Sequence, residues 1–327
     1  MSDTTPVTIL TGFLGAGKTT LLNHLLRQPA LARTAVLVNE FGEIGLDHLL
    51  VEKIDDNTVL LNAGCLCCTV RGDLTRVLRE MLPKARRGEI SRIMIETTGL
   101  ADPVPVLATL MSDSVVASVY RLDGIVTVID AVNGAAHLDL YREAVRQVAV
   151  ADRIVLTKTD LADASFLRER VRGLNPGAPV IDAHNGAIDP RAILNAGLFD
   201  PAGKIPDVCR WLDAEAFDAP VHRHDPHVHA FCITLDKPVH WEGLGIWLEA
   251  LIATSGEKLL RIKGILNLHG QDRPVVLHAI RHLLHPPTLL PAWPEGDPRT
   301  SRLVFITEGI PRSVIETGVR AFEDAAN

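Results

Sequence analysis

Apolar positions recur along the chain in two alternating rhythms. Short aliphatic and β-branched runs predict strands at Val7–Leu10, Ala35–Val38, Thr58–Leu61, Arg92–Ile95, Gly124–Ile129 and Arg153–Leu156, with a last short one at Pro179–Ile181. Between them the spacing turns helical. Leu21, Leu22, Leu25 and Leu26 fall on one face, and Asp73 to about Arg86, residues 134–149 and Ala164–Leu174 repeat that pattern. Strands alternating with helices of about 10 to 15 residues build βαβ units on a parallel sheet.

The rhythm changes near residue 200. A proline- and histidine-rich stretch, 201–227, has weak periodicity and reads as a linker. Beyond it the pattern predicts a strand at about 228–235, a helix at about 242–255, strands around Leu260–Leu268, Val275–Ile280 and Leu303–Thr307, and a final helix from 311. The expected organisation is an α/β domain over 1–200, the linker over 201–227, and a smaller α+β domain over 228–327.

Composition narrows the class. The chain has 327 residues, 47% hydrophobic and 22% charged, as in an ordinary globular protein of about two domains. The longest stretches without Asp, Glu, Lys or Arg, Thr4–Gly17 and Asn57–Val70, are too short for a spanning helix, which needs about 20 apolar residues. The first residues carry no basic-then-apolar signal, so the expected location is cytoplasmic. Net charge is −7 and no long Lys/Arg run offsets it, so neither a nucleic acid nor a membrane surface is the expected partner.

The strongest local motif is Gly12-Phe13-Leu14-Gly15-Ala16-Gly17-Lys18-Thr19, which fits G-x-x-x-x-G-K-[ST] and lies between a strand and a helix. Gly12, Gly15, Ala16 and Gly17 let backbone N–H groups curl toward a β-phosphate at a helix N-terminus, which Thr20 continues. Lys18 reaches the β- and γ-phosphates, and the Thr19 hydroxyl is a Mg²⁺ ligand. Thr157-Lys158-Thr159-Asp160 follows the strand Arg153–Leu156. Asp160 there can accept from both N1–H and the 2-amino group of guanine, and Lys158 can lie along the base. Thr157 stands where the usual GTPase pattern has Asn, keeping a hydroxyl but no amide. Capping of the next helix by Asp160 is the bland alternative. In Arg92–Gly99 an apolar strand delivers Glu96, a candidate for holding Mg²⁺ or orienting water. Gly99, three residues on, lets the chain approach the γ-phosphate.

Cys65, Cys67 and Cys68 form the second strong signal. Three thiols in four residues, in a chain of five cysteines, make no disulfide framework and read as ligands for Zn²⁺ or Co²⁺, or as a redox pair. Three thiolates leave a fourth tetrahedral position, for which Glu43 and Glu40 are candidates. The tract His222–His229 holds four histidines and is either a loose metal trap or a solvated linker. His278, His282 and His285 are ambiguous in the same way.

These motifs together resemble the CobW-type GTPases, relatives of the HypB and UreG metallochaperones. The resemblance rests on Thr11–Thr20, Asn39–Gly45 (N-E-F-G-E-I-G), Asn62–Cys68 (N-A-G-C-L-C-C), Glu96–Pro103 (E-T-T-G-L-A-D-P) and Thr157–Asp160, with Leu259–Gly264 and Val304–Ile306 in the second domain. It implies a P-loop NTPase domain followed by a CobW-type C-terminal domain. It also implies slow GTP hydrolysis with Mg²⁺, catalysed around Lys18, Thr19 and Glu96, and coupled to Zn²⁺ or Co²⁺ delivery to a client metalloprotein. The metal ligands so implied are Cys65, Cys67, Cys68 and Glu43. Some relatives carry another Glu just before Asn39, where this chain has Val38. A nucleotide-dependent homodimer is in keeping with related GTPases. The rival readings are a nucleotide-dependent metal sensor, a P-loop kinase and a thiol oxidoreductase.

Overall fold

The computed structural model describes residues 4–39, 60–63, 70–194, 217 and 227–326. They divide into two compact units, each built on its own sheet.

The first unit carries strands β1 (Thr5–Gly12), β2 (Thr34–Asn39), β3 (Leu60–Ala63), β4 (Arg92–Glu96), β5 (Tyr120–Asp130), β6 (Arg153–Thr157) and β7 (Val180–Ala183). They form one seven-stranded sheet in the order β3-β2-β4-β1-β5-β6-β7, and every pairing is parallel. Strands buried on both faces explain why β1, β4 and β6 read as continuous apolar runs. The helices between residues 4 and 194 are α1 (Lys18–Leu26), α2 (Val70–Arg86), α3 (Val104–Ser112), α4 (Ser114–Ala117), α5 (Gly134–Leu140), α6 (Arg142–Ala149), α7 (Ser165–Leu174), which straddles the division at Arg168, and α8 (Pro190–Ile193). Leu21, Leu22 and Leu25 of α1 pack with Leu10, Val36, Met94, Val126 and Val155 of the sheet, the core under the N-terminal helix.

Two departures from the sequence pattern have local causes. The expected helix over 134–149 breaks at Tyr141, which is extended (φ −128°, ψ 113°). Its ring packs on Phe13, with centroids 4.5 Å apart, so a tertiary contact overrides helical propensity. The sequence pattern does not announce helix α3, because Pro103 and Pro105 punctuate its start. Proline is tolerated in a first turn, and Asp102 Oδ1 accepts from Val104 N at 3.0 Å. Strand β3 is described over Leu60–Ala63; residues 58 and 59 of the expected strand lie outside the described residues.

At the amino ends of the strands Arg92, on β4, pairs with buried Asp123, on β5. Asp123 also accepts from Thr8 Oγ1 at 3.0 Å, and it sits at the register shift where Thr8 pairs with Gly124. Burial of that carboxylate is tolerable because both partners are present.

The second unit is antiparallel. Strands β8 (Val228–Leu235), β9 (Leu259–Leu266), β10 (Val275–Ile280), β11 (Leu283–Leu284) and β13 (Ser301–Glu308) run in the order β11-β10-β9-β13-β8, and β12 (Thr288–Leu289) pairs with β10. Helices α9 (Trp241–Ser255) and α10 (Arg312–Ala326) supply Leu244, Trp247, Leu248, Ile315 and Val319 to a core shared with Phe231, Ile262, Leu277 and Phe305. The expected linker lies outside the described residues except for Phe217 and His227. No helix among the described residues is long and apolar enough to cross a membrane.

Candidate functional site

The carboxyl ends of β1, β4, β5 and β6 converge on one edge of the parallel sheet, where α/β folds place ligands. The loop from β1 into α1 is shaped by its glycines. Gly12 has φ 140°, and a Cβ there would lie 2.2 Å from Val128 O. Gly17 caps α1 at φ 90°, a left-handed conformation that favours glycine. Lys18 is buried, and its ammonium donates to Gly12 O (2.9 Å) and Phe13 O (3.2 Å), inside the curl of the loop.

Glu96 ends β4, level with Leu10 on β1, and is buried. Thr19 donates its hydroxyl to Glu96 Oε1 at 2.9 Å. A hydroxyl beside a carboxylate is a hard oxygen pair of the kind that suits Mg²⁺. Beyond β4, Thr97 N donates to Leu10 O (2.9 Å) and Thr97 Oγ1 to Thr11 Oγ1 (2.9 Å). The chain then presses on the phosphate loop: a Cβ on Gly99 would lie 2.5 Å from Leu14 N, so only glycine fits without a shift.

The segment after β6 is also tied to the loop. Thr157 Oγ1 donates to Ala16 O at 2.7 Å. Lys158, at φ 56°, donates to Gly15 O (2.9 Å) and to Asp130 Oδ2 (2.8 Å). Asp160 is exposed at this edge. The carboxylate that caps α7 is Asp163, whose Oδ1 accepts from Ser165 N at 2.9 Å, so Asp160 is not spent as that cap. Thr20 is exposed on the first turn of α1, and its carbonyl oxygen would lie 2.8 Å from a Cβ on Gly186.

Two residues here were not singled out by the sequence. Gln147 of α6 is buried and donates to Gly99 O (3.3 Å) and Ala101 O (3.0 Å), holding the turn after β4. A lone Gln on the apolar face of an amphipathic helix was the available signal. Asp130 ends β5 and receives Lys158, Val132 N and Asn133 N. Burial alone would raise its pKa. The hydrogen bonds from Lys158 and Asn133 outweigh that, and the carboxyl stands below the usual range.

A family model described as the CobW/HypB/UreG nucleotide-binding domain matches residues 6–182, and the cobalamin synthesis protein cobW C-terminal domain matches 228–323. The chain belongs to the CobW family. Among CobW-family relatives, the zinc chaperone YjiA of Escherichia coli K12 is 34% identical over 317 residues, covering 94% of this chain and 96% of the relative. The crystal structure of Zn(II)-bound YjiA GTPase aligns over 98% of this chain and 99% of that one, at 30% identity and a TM-score of 0.71. The zinc-regulated GTPase metalloprotein activator 1 of Schizosaccharomyces pombe is 40% identical over 197 residues, 57% of this chain and 47% of its own length.

The CobW-type cysteine motif, Cys65, Cys67 and Cys68, lies outside the described residues, as do Glu40 and Glu43. The strands that lead to them are described. Val38 on β2 pairs with Asn62 on β3 on one side and with Glu96 on β4 on the other. Glu40 and Cys65 therefore follow, by two and three residues, strand positions level with Glu96, and two strand spacings come to about 10 Å. Val38 itself is buried.

Among the described residues no three His, Cys, Asp or Glu side chains are grouped to hold a metal ion. His278 and His285 are buried and stacked, with centroids 4.8 Å apart, and His278 Nε2 is 3.1 Å from Arg261. His282 instead is exposed, with Nδ1 3.9 Å from Glu257. His222 and His224 lie outside the described residues.

Proposed function

We infer that this chain is a GTP-binding, slowly GTP-hydrolysing metallochaperone that carries Zn²⁺ as cargo and hands it to a client metalloprotein in the cytoplasm. The observation that carries this reading is the register Asn62–Val38–Glu96, which sets the strand that leads to the cysteine segment level with the phosphate-side carboxylate, two strands away. The zinc chaperone name and the Zn(II)-bound crystal structure of its E. coli relative support the cargo.

We assign the nucleotide phosphates to the backbone of Gly12–Lys18 and to the Lys18 ammonium, and the guanine edge to Asp160. Phosphoryl transfer needs little covalent help from a protein; positioning and charge neutralisation do most of it. Mg²⁺, held by Thr19 and Glu96, would supply further positive charge at the transferring group. Lys18 supplies a fixed cation, and Glu96 orients the attacking water or the metal's water. No Gln side chain among the described residues is placed to orient that water. Gln147 is engaged with Gly99 and Ala101, so unaided turnover is slow.

Cys65, Cys67 and Cys68, with Glu43 or Glu40 as the fourth donor, are the assigned cargo ligands. Thiolates are suited to Zn²⁺, and Co²⁺ is the alternative cargo. Leu14, Leu100 and Leu161 stand exposed around the site. That apolar rim is assigned to the contact that follows nucleotide binding, with the client or with a second copy in a nucleotide-dependent homodimer. Steady-state GTP hydrolysis with and without Zn²⁺ tests the reading. The expected rate is far below about 10 s⁻¹, and it changes with Zn²⁺ in the wild type but not in Cys67→Ala. A zinc-indifferent rate in both would favour a GTPase whose cysteines serve another purpose.

A further inference from the structure

We propose that Asp130 is a positioning residue for the nucleotide, clamping both flanks of the phosphate loop at once; this rests on the nucleotide-binding reading above. Its side chain is 1% exposed and both oxygens are used. Oδ2 accepts from Lys158 Nζ (2.8 Å) and Asn133 Nδ2 (3.2 Å). Oδ1 accepts from Val132 N and Asn133 N, each at 2.7 Å.

The first arm runs through Lys158. Its ammonium spans from Asp130 to Gly15 O, the tip of the phosphate loop. Lys158 sits in the left-handed region (φ 56°), where a non-glycine residue persists only if its surroundings hold it. The charge on Asp130 is such a hold, and Thr157 Oγ1 to Ala16 O is its neighbour. Segment 157–160 is therefore tied to the loop at consecutive residues, Gly15 and Ala16.

The second arm runs through α5. Asp130 fixes the backbone at Val132 and Asn133, from which α5 starts at Gly134. Its His137 ring lies 4.4 Å from the Phe13 ring, and Tyr141 lies 4.5 Å from it. Phe13 is the second residue of the phosphate loop. One buried carboxylate thus reaches the loop at Phe13 through packing and at Gly15 through a charge.

Asp130→Asn separates the arms. An amide oxygen can still accept from Val132 and Asn133, but the charge and the second acceptor facing Lys158 are gone. The test is fluorescence titration of the full chain with mant-GDP and mant-ADP, for the wild type, D130N, Lys158→Ala and the double variant, alongside thermal melting. D130N is expected to bind the preferred nucleotide at least tenfold more weakly, K158A likewise, and the double variant within about twofold of the weaker single. Such non-additivity marks one shared interaction, which a merely structural role would not produce. D130N binding within twofold of the wild type, or effects that multiply in the double variant, would overturn the proposal. Should D130N not fold, Lys158→Met decides, since it keeps the aliphatic stem that can lie along the base and removes only the ammonium that Asp130 holds. A loss of tenfold or more supports the proposal, and affinity within twofold of the wild type leaves Asp130 nothing to position. The wild-type preference between the two nucleotides reports separately on the guanine reading.

Discussion

Thr19 donates its hydroxyl to Glu96 across 2.9 Å, joining the first turn of α1 to the last residue of β4. Two residues 77 apart in sequence thus meet where the phosphate loop ends. Glu96→Gln preserves the size and an acceptor for Thr19 but removes the charge. Mg²⁺-dependent GTP hydrolysis should fall by about a hundredfold, the scale on which loss of one transition-state electrostatic contact acts. Mg²⁺-free GDP affinity should change little. Equal losses in hydrolysis and in Mg²⁺-free binding would show Glu96 to be structural.

Gly99 lies against Leu14 so closely that an added methyl group would sit 2.5 Å from a backbone nitrogen. Gly99→Ala forces the turn after β4 away from the phosphate loop. The expected cost is about 1–3 kcal/mol of stability, with weaker GTP binding. Denaturant unfolding and a nucleotide titration read the two effects. A variant as stable as the wild type would place the turn elsewhere.

The Arg92–Asp123 pair lies at the opposite ends of the strands from the site. Asp123→Ala leaves a buried guanidinium without its carboxylate and should cost about 3–5 kcal/mol. The guanine-to-adenine preference of the chain that still folds should not move. A changed preference in a stable variant would contradict this division of the sheet into a structural end and a binding end.

Asp130 gives a pH dependence with a definite sign. Its carboxyl stands below the ordinary aspartate value of about 3.9, because the hydrogen bonds from Lys158 and Asn133 outweigh the opposing effect of burial. A lowered folded value means that the contribution to stability is full above about pH 4 and is lost as pH falls through the folded value. The stability gap between the wild type and Asp130→Asn should therefore be constant from pH 7 to about 5 and shrink below 4. Urea midpoints of both chains at each pH check it, and a gap that widens on acidification has the wrong sign.

Much of this site was legible because its chemistry is local in sequence. Gly12 to Thr19 carries its whole geometry in eight residues, and the strand before it and helix after it follow from aliphatic spacing. Glu96 stands out in the sequence because an apolar strand ends on a charge. Asp130 and Gln147 do not, since their contacts are with Lys158, Gly99 and Ala101, which only the fold brings to them. The break at Tyr141 and the start of α3 failed for a related reason: a ring on Phe13 and a proline-tolerant first turn outweighed local propensity. In the second unit, His278 and His285 stack across the turn between β10 and β11, a pairing that seven-residue spacing does not announce.

A chaperone that couples GTP hydrolysis to zinc delivery, as proposed above, must hold zinc with an affinity set by its nucleotide state. Chelator competition for Zn²⁺, with Mg²⁺ and a non-hydrolysable GTP analogue and then with GDP, measures it directly. The account predicts at least a tenfold difference between the two states, about 1.4 kcal/mol of coupling, that vanishes in Cys67→Ala. Equal zinc affinity in both nucleotide states would contradict it.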